Sequence, residues 1–434
     1  MPLSAPRKTD HVFIVGAGVF GLATALELRN RGYQNVTVLD RHMPPVPDGS
    51  SVDISRVIRA DYADPFYARL GLEALKIWRQ KYNKYFYKSG FTLISESTDD
   101  PRVERTKQAL LKLGQKVQPF TGRAEFKTRY PCFDGDLPLH VNGYANHACG
   151  WVDAERVMEA FARECVDAGV SFITGERGTV VSLVLKEKML VGVKVATGET
   201  LLCAQVILAT GSWTSHLLDL RGAAVSTCHP VASIQLSKVE TAELSKQPVI
   251  YNLTSGVFVF PPTPNGILKV ASHDYGYETT IPVRYRPCTQ PWSSISAPKL
   301  VKSPSTTDFI PDEADTALRA GLTLLLPRFK DRPWIKRKLC WYSDTRSGDF
   351  IVDHHPSISG LFLATGDSGH CFKFLPVIGR YVSDIFEDKT RGIHRARWVF
   401  KPTDKPMASS SSSSDGSRGG PPRRVLTRSE QAKL

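Results

Sequence analysis

The sequence predicts an α/β fold of mixed α+β character that opens on a Rossmann-type dinucleotide-binding unit. Three observations carry this. Residues 11–40 read as strand, glycine turn, helix, strand and acid. A second buried strand, Val206-Ile207-Leu208-Ala209, ends in Thr210-Gly211. Between residues 228 and 300 the pattern shifts to short strands separated by turns.

In the first unit, Val12-Phe13-Ile14-Val15 runs into Gly16, Gly18 and Gly21, the spacing G-x-G-x-x-G. Leu22, Ala25, Leu26 and Leu28 then recur at helical intervals until Gly32, and Val36-Thr37-Val38-Leu39 ends on Asp40. Gly16 allows a tight turn, Gly18 lets backbone amides approach a pyrophosphate, and Gly21 lets helix and strand pack closely. The helix start offers N–H groups and a positive dipole end to phosphates. Asp40 is placed to hydrogen-bond a ribose hydroxyl. The unit alone does not choose between FAD and NAD.

A Pro/Gly/Ser loop over residues 44–51 leads to Ser55-Arg56-Val57-Ile58-Arg59, read as a short helical turn with both arginines on one side. Residues 66–84 form an amphipathic helix, with Phe66, Leu70, Ala74, Ile77 and Trp78 on its core face. A strand at 90–94, a helix at 101–114 and a helix from Trp151-Val152-Asp153 to Gly169 follow, then strands at 170–173, 180–184 and 191–195. Later strands fall at 249–251, 257–260 and 268–273. Pro and Ser crowd 291–306, a long surface excursion, and a helix runs from Pro311 to Leu326. Strands at 339–342, 350–353 and 361–366 and a helix at 375–386 close the fold. Six serines at 409–414 and a Gly-Gly-Pro-Pro run mark the chain after residue 400 as a disordered tail.

The 434 residues suffice for two domains, and 41% hydrophobic with 23% charged residues suit a soluble globular protein. No apolar run is long enough for a membrane span, and the first residues lack the core of a secretory signal. The formal charge of +13 is spread along the chain, with local concentrations at 328–338 and in the tail. Without a basic-aromatic stripe this excludes a nucleic-acid module and suits an anionic cofactor and a carboxylate substrate. Eight scattered cysteines show no C-x-x-C pair and no zinc spacing, so they are read as free thiols and no metal site is expected. Nothing sets the oligomeric state; monomer is the default.

At Gly366-Asp367-Ser368-Gly369-His370-Cys371-Phe372-Lys373-Phe374, taken with the N-terminal motif, the chain resembles the FAD-dependent amine oxidases typified by monomeric sarcosine oxidase. Pipecolate oxidases and the fungal fructosyl-amino-acid oxidases (amadoriases) belong to the same family. The resemblance covers residues 11–395. It implies a D-amino-acid-oxidase-like architecture: a discontinuous FAD-binding domain (1–90, 150–225 and 335–400) interleaved with a mixed-sheet substrate domain (91–149 and 226–334). It also implies an oxidase that takes a hydride from the carbon beside a secondary amine. The product is an imine, and O2 is reduced to H2O2.

Residue by residue, the resemblance makes Cys340, in Cys340-Trp341-Tyr342-Ser343-Asp344-Thr345, the covalent tether of FAD. Cofactor contacts are implied at Gly16, Gly18, Gly21, Asp40, Arg41, Ser55, Arg56, Gly211, Gly369, His370 and Lys373. Arg59 and Lys373 match the pair that clamps the substrate carboxylate, which two cations can do well. Lys269 matches the lysine that activates oxygen, where a cation offsets developing negative charge. Cys371 stands where the family usually has glycine. His273 matches sarcosine- and pipecolate-type members, whereas fructosyl-amino-acid oxidases tend to have Glu there; the Gly32–Asp40 segment looks amadoriase-like. The implied substrate is an N-methyl, cyclic or N-substituted amino acid. A fructosyl amino acid, or an N-methyl group oxidised for ring closure, is the alternative. Ala432-Lys433-Leu434 resembles the small-basic-Leu signal read by the peroxisomal import receptor. A flexible tail is expected to present it, with the cytoplasm as the alternative location.

Overall fold

The computed structural model describes residues 6–220, 222–282, 294–299, 308–403, 405, 407 and 417–434. β1 (His11–Val15), α1 (Val19–Asn30) and β2 (Asn35–Leu39) form the expected unit, β1 and β2 pairing in parallel from His11 opposite Asn35 to Val15 opposite Leu39. On its other side β1 pairs in parallel with Gln205–Leu208. The six-stranded sheet has the order Ile351–His354, Leu361–Thr365, Gln205–Leu208, β1, β2, Ser171–Ile173, and its central strands are apolar on both faces because helices cover one and the three-stranded sheet of Val180–Lys186, Met189–Val195 and Thr200–Leu202 covers the other. α1 is buried on most of its faces: it packs against β2, against the helix Ala154–Asp167 and against Leu375–Phe386.

A ten-stranded mixed sheet carries the second core. Its spine is the long strand Ala224–Gln235, flanked by Ile267–Ser272 and Lys336–Thr345. Lys336–Thr345 was assigned to the cofactor domain by the sequence reading. Instead it pairs with Ala224–Gln235 along its whole length, Cys340 facing His229. Ten backbone partners, from Ala224 opposite Thr345 to Ser233 opposite Lys336, tie the strand to that sheet.

β3 (Arg56–Ile58) is a strand paired with Gly150–Val152, not the helical turn expected. Residues three apart in extended backbone face opposite ways, so Arg56 and Arg59 reach different partners. α2 (Pro65–Gln80) begins where Asp64 accepts the Phe66 N–H and Pro65 supplies a preset φ. Most of the excursion expected at 291–306 lies outside the described residues.

The tail is the largest correction. Residues 417–434 are folded: Arg424–Val425 pairs in parallel with Tyr277–Glu278, and Arg428–Ala432 is a helix with a capping box between Thr427 and Glu430. Leu434 packs against the second core and its carbonyl accepts from Lys299 at 2.9 Å, so the last three residues sit on the body of the protein. Composition marked this stretch as solvated; burial of Arg418 and Leu426 and the ion pairs of Arg424 hold it down.

Candidate active site

The turn after β1 is built by close approach. Gly16 has φ +107°, and a Cβ there would lie 2.4 Å from the Ala209 carbonyl oxygen. A Cβ on Gly21 would lie 1.8 Å from the Gly16 oxygen, so helix and strand meet only because that position has no side chain. Asp40 Oδ2 accepts the Ala17 N–H at 2.7 Å, and burial raises the pKa of this carboxyl. Arg41 is ion-paired to Asp48 at 2.6 Å and lies over the Trp213 ring. Gly16, Ala17, Asp40, Arg41 and Trp213 line a cavity of about 510 Å³ that continues past Gly211 to Lys269, His273, Tyr342 and Lys373.

The cavity wall unites elements far apart in sequence. Arg56 donates to the Cys340 sulfur at 3.3 Å, to the Ser50 carbonyl at 2.9 Å and to Asp53 Oδ2 at 2.5 Å. Lys269, buried on Ile267–Ser272, donates to the same Asp53 oxygen at 3.0 Å and to the Ser55 carbonyl, with its ammonium 4.1 Å from the Phe260 ring centre. Burial lowers the lysine to about 8; Asp53 opposes this, while the charge of Arg56 adds to it. The Asp53 carboxyl would be raised by burial, but Lys269, Lys338 and Arg56 outweigh that and hold it ionised. Ser55 offers its carbonyl rather than its side chain.

Arg59 and Lys373 converge on Tyr62. The Arg59 guanidinium lies 5.1 Å from the Tyr62 ring centre and donates to the Asp61 carbonyl. Lys373 donates to Tyr62 Oη and to the His370 carbonyl, each at 2.8 Å. His370 Nε2 meets the Gly348 carbonyl at 2.8 Å, which makes Nε2 the protonated nitrogen. Nδ1 then accepts from Tyr62 Oη at 3.0 Å. His273 is buried, and burial first, then the charge of Arg418, push its pKa well below the usual range, so its imidazole is neutral. Cys371 is buried in the wall, and burial raises its pKa far above a reactive range.

Arg418 arrives from the C-terminal segment. It forms a two-pronged ion pair with Asp344, donates to the Ser368 carbonyl at 3.1 Å, and stands 5.7 Å from the Tyr342 ring. Asp344 also accepts from Thr227 at 2.6 Å, and Thr227 meets His229, whose ring stacks on Tyr342 at 3.9 Å.

The structure therefore brings Gly16, Gly18, Asp40, Arg41, Arg56, Arg59, Gly211, Lys269, His273, Gly369, His370 and Lys373 to one cavity. Gly21, Ser55 and Cys340 stand behind its wall. Sequence reasoning missed Asp53, Tyr62, Tyr342, Asp344 and Arg418. Asp53 and Tyr62 had a signal, each lying three residues from an arginine already singled out. Arg418, in a Gly/Ser-rich tail, had none.

A dinucleotide with a planar ring system fits these residues. The glycine turn leaves no room for side chains, and Ser212 Oγ and Trp213 Nε1, both in the cavity wall, are buried without a hydrogen-bond partner among the described residues. Fold and site thus define a dinucleotide-binding oxidoreductase. The family model for FAD dependent oxidoreductases (DAO) matches residues 11–385, and the chain belongs to that family. It is 29% identical to L-saccharopine oxidase of Schizosaccharomyces pombe over 412 residues, 91% of this chain and 94% of the relative. It is 32% identical to the amino acid oxidase fsqB of Aspergillus fumigatus, with 84% of this chain and 90% of the relative covered. The crystal structure of the deglycating enzyme fructosamine oxidase (Amadoriase II) from Aspergillus fumigatus superposes with a TM-score of 0.83 at 28% identity, covering 97% and 96% of the two chains.

Proposed function

We propose that this protein oxidises a secondary amine carrying a carboxylate, an N-methyl, cyclic or N-substituted amino acid, with O2 as acceptor and H2O2 as product. The observation that carries the reading is the meeting of two buried cations, Arg59 and Lys373, on Tyr62 in a wall shared with the glycine turn. Two cations from separate elements can grip one carboxylate and fix the C–N bond it carries. When bound, FAD supplies the two-electron acceptor that takes the hydride and passes electrons on to oxygen. Gly16, Gly18, Asp40, Arg41 and Gly211 would hold its nucleotide part. Arg56, Gly369 and His370 would hold its ring, and Cys340 would tether it.

His273, neutral through burial, accepts the amine N–H without adding a third positive charge beside the clamp. Lys269 keeps a positive charge near developing negative charge on oxygen. The amine itself must be neutral to release a hydride, so activity rises with pH as the substrate deprotonates. A glycated amino acid is the second reading, favoured by the match to fructosamine oxidase. The neutral His273, where the resemblance implies Glu for deglycating members, favours a substrate without the sugar. Ala432-Lys433-Leu434 supports peroxisomal import; because it is docked on the body, the receptor must lift it off first.

Anaerobic mixing of the yellow protein with sarcosine, other N-methyl amino acids, pipecolate, saccharopine and a fructosyl amino acid tests this. Bleaching by the carboxylate-bearing secondary amines, lost in Lys373→Met, is expected. Bleaching by amines lacking the carboxylate with equal efficiency would overturn it.

A further inference from the structure

We infer that Asp53 is a positioning residue for the oxygen step, holding Lys269 in place and protonated and tying it to the arginine beside Cys340. The inference rests on the assignment of Lys269 made above. Asp53 lies in the loop before β3, whereas Lys269 lies on a strand of the ten-stranded sheet, so their contact ties that loop to the sheet. Both side chains are almost wholly buried, at 4% and 1% exposure.

Three cations surround this one carboxylate. Lys269 and Arg56 both donate to Oδ2, at 3.0 and 2.5 Å, and Lys338 stands 3.8 Å from Oδ1, which also takes the Ile54 N–H at 2.9 Å. No other carboxylate among the described residues is ion-paired to Lys269. Its remaining neighbours are the Ser55 carbonyl and the face of Phe260. Burial and the two like charges, Arg56 and Lys338, all favour the neutral amine. Asp53 alone opposes them with a full negative charge. A neutral lysine could not offset charge forming on oxygen, so the carboxylate determines whether the lysine does its work. The shared oxygen also prevents Lys269 from moving without disturbing Arg56, and with it the donor to the Cys340 sulfur.

The experiment is competitive acylation of the holoenzyme with trace acetic anhydride across a pH series, Lys269 modification being read by mass spectrometry. In Asp53→Asn, which keeps the shape and removes the charge, the Lys269 midpoint should fall by at least about one pH unit, a tenfold change in its proton equilibrium. Asp53→Glu should restore it in part. If the Asn variant does not fold, Asp53→Asn is combined with Lys338→Met, which relieves the repulsion left by the lost carboxylate, and the Lys269 midpoint should fall below that of Lys338→Met alone. An unmoved midpoint in folded Asp53→Asn, or in the double variant relative to Lys338→Met, overturns the inference. A merely structural role for Asp53 would leave the midpoint alone. The oxygen assignment is tested separately: if the midpoint moves but Lys269→Met leaves reoxidation of the reduced flavin intact, Lys269 loses its oxygen role and Asp53 still sets its charge.

Discussion

The turn after β1 lines the cavity and Arg418 of the C-terminal segment 417–434 stands behind it at Tyr342, and the two are held by different kinds of contact. The turn is local: Gly16 and Gly21 meet each other, Asp40 accepts from Ala17 23 residues away, and β1 and β2 are neighbours in chain and sheet. The C-terminal segment depends on distant partners. Arg418 pairs with Asp344 74 residues earlier, and the Ser417 carbonyl accepts from Tyr251 166 residues earlier. A local device is specified by spacing, and a spacing can be read. A strap is specified by what it lands on.

The largest effect is expected at Gly21. Gly21→Val puts atoms where the Gly16 oxygen already sits, and the cost should exceed about 3 kcal/mol, the upper end of ordinary overpacking. The expected outcome is protein that is insoluble or colourless; a yellow, stable variant would show that the turn tolerates movement. Arg418→Ala is the matching cut in the strap. It leaves the Asp344 carboxylate buried without its cation, which costs about 3–5 kcal/mol. In urea melts the double variant Arg418→Ala/Asp344→Asn should recover a large part of that loss. Simple addition of the two losses would mean that the pair is not the strap's main anchor.

A smaller effect sharpens the contrast. Thr427→Ala removes the cap of the last helix and should cost about 1 kcal/mol, confined to the strap. Hydrogen exchange should quicken at residues 424–432 while β1 and β2 stay protected; acceleration in both would make strap and turn one cooperative unit. The least effect is that of pH. Glu430 is held at about 2 by its hydrogen bond to Arg424. Because that value is depressed, its contribution is present above the ordinary range near 4.5 and is lost as pH falls toward 2. A partly exposed pair of this kind, screened by solvent, contributes about 1 kcal/mol or less. The protection factor at Val425, after correction for the intrinsic pH dependence of amide exchange, should fall over that window and stay constant between pH 6 and 8.

The same division explains which site residues were legible. Gly16, Gly18, Gly21 and Asp40 were readable from spacing, and Arg59, Lys269, His273, Cys340 and Lys373 from resemblance to a family. Asp53 was not, although it lies three residues before Arg56, because nothing local shows that Lys269 will arrive from another sheet. The helical reading of residues 55–59 failed because β3 exists only through its pairing with Gly150–Val152. Lys336–Thr345 was placed with the cofactor domain through the resemblance, and only its backbone pairing shows that it belongs to the sheet of Ala224–Gln235.

The parallel unit that opens the fold, the glycine turn and the places of the long helices were set by the sequence alone. All of these follow from periodicity and backbone sterics acting over a few turns of chain. Only the tertiary structure decided which charges meet: Lys269 with Asp53, Lys373 with Tyr62, Arg418 with Asp344. Burial makes charge pairing obligatory, but the partner of a buried charge is chosen by how sheets and straps pack, and that information is spread over the whole chain.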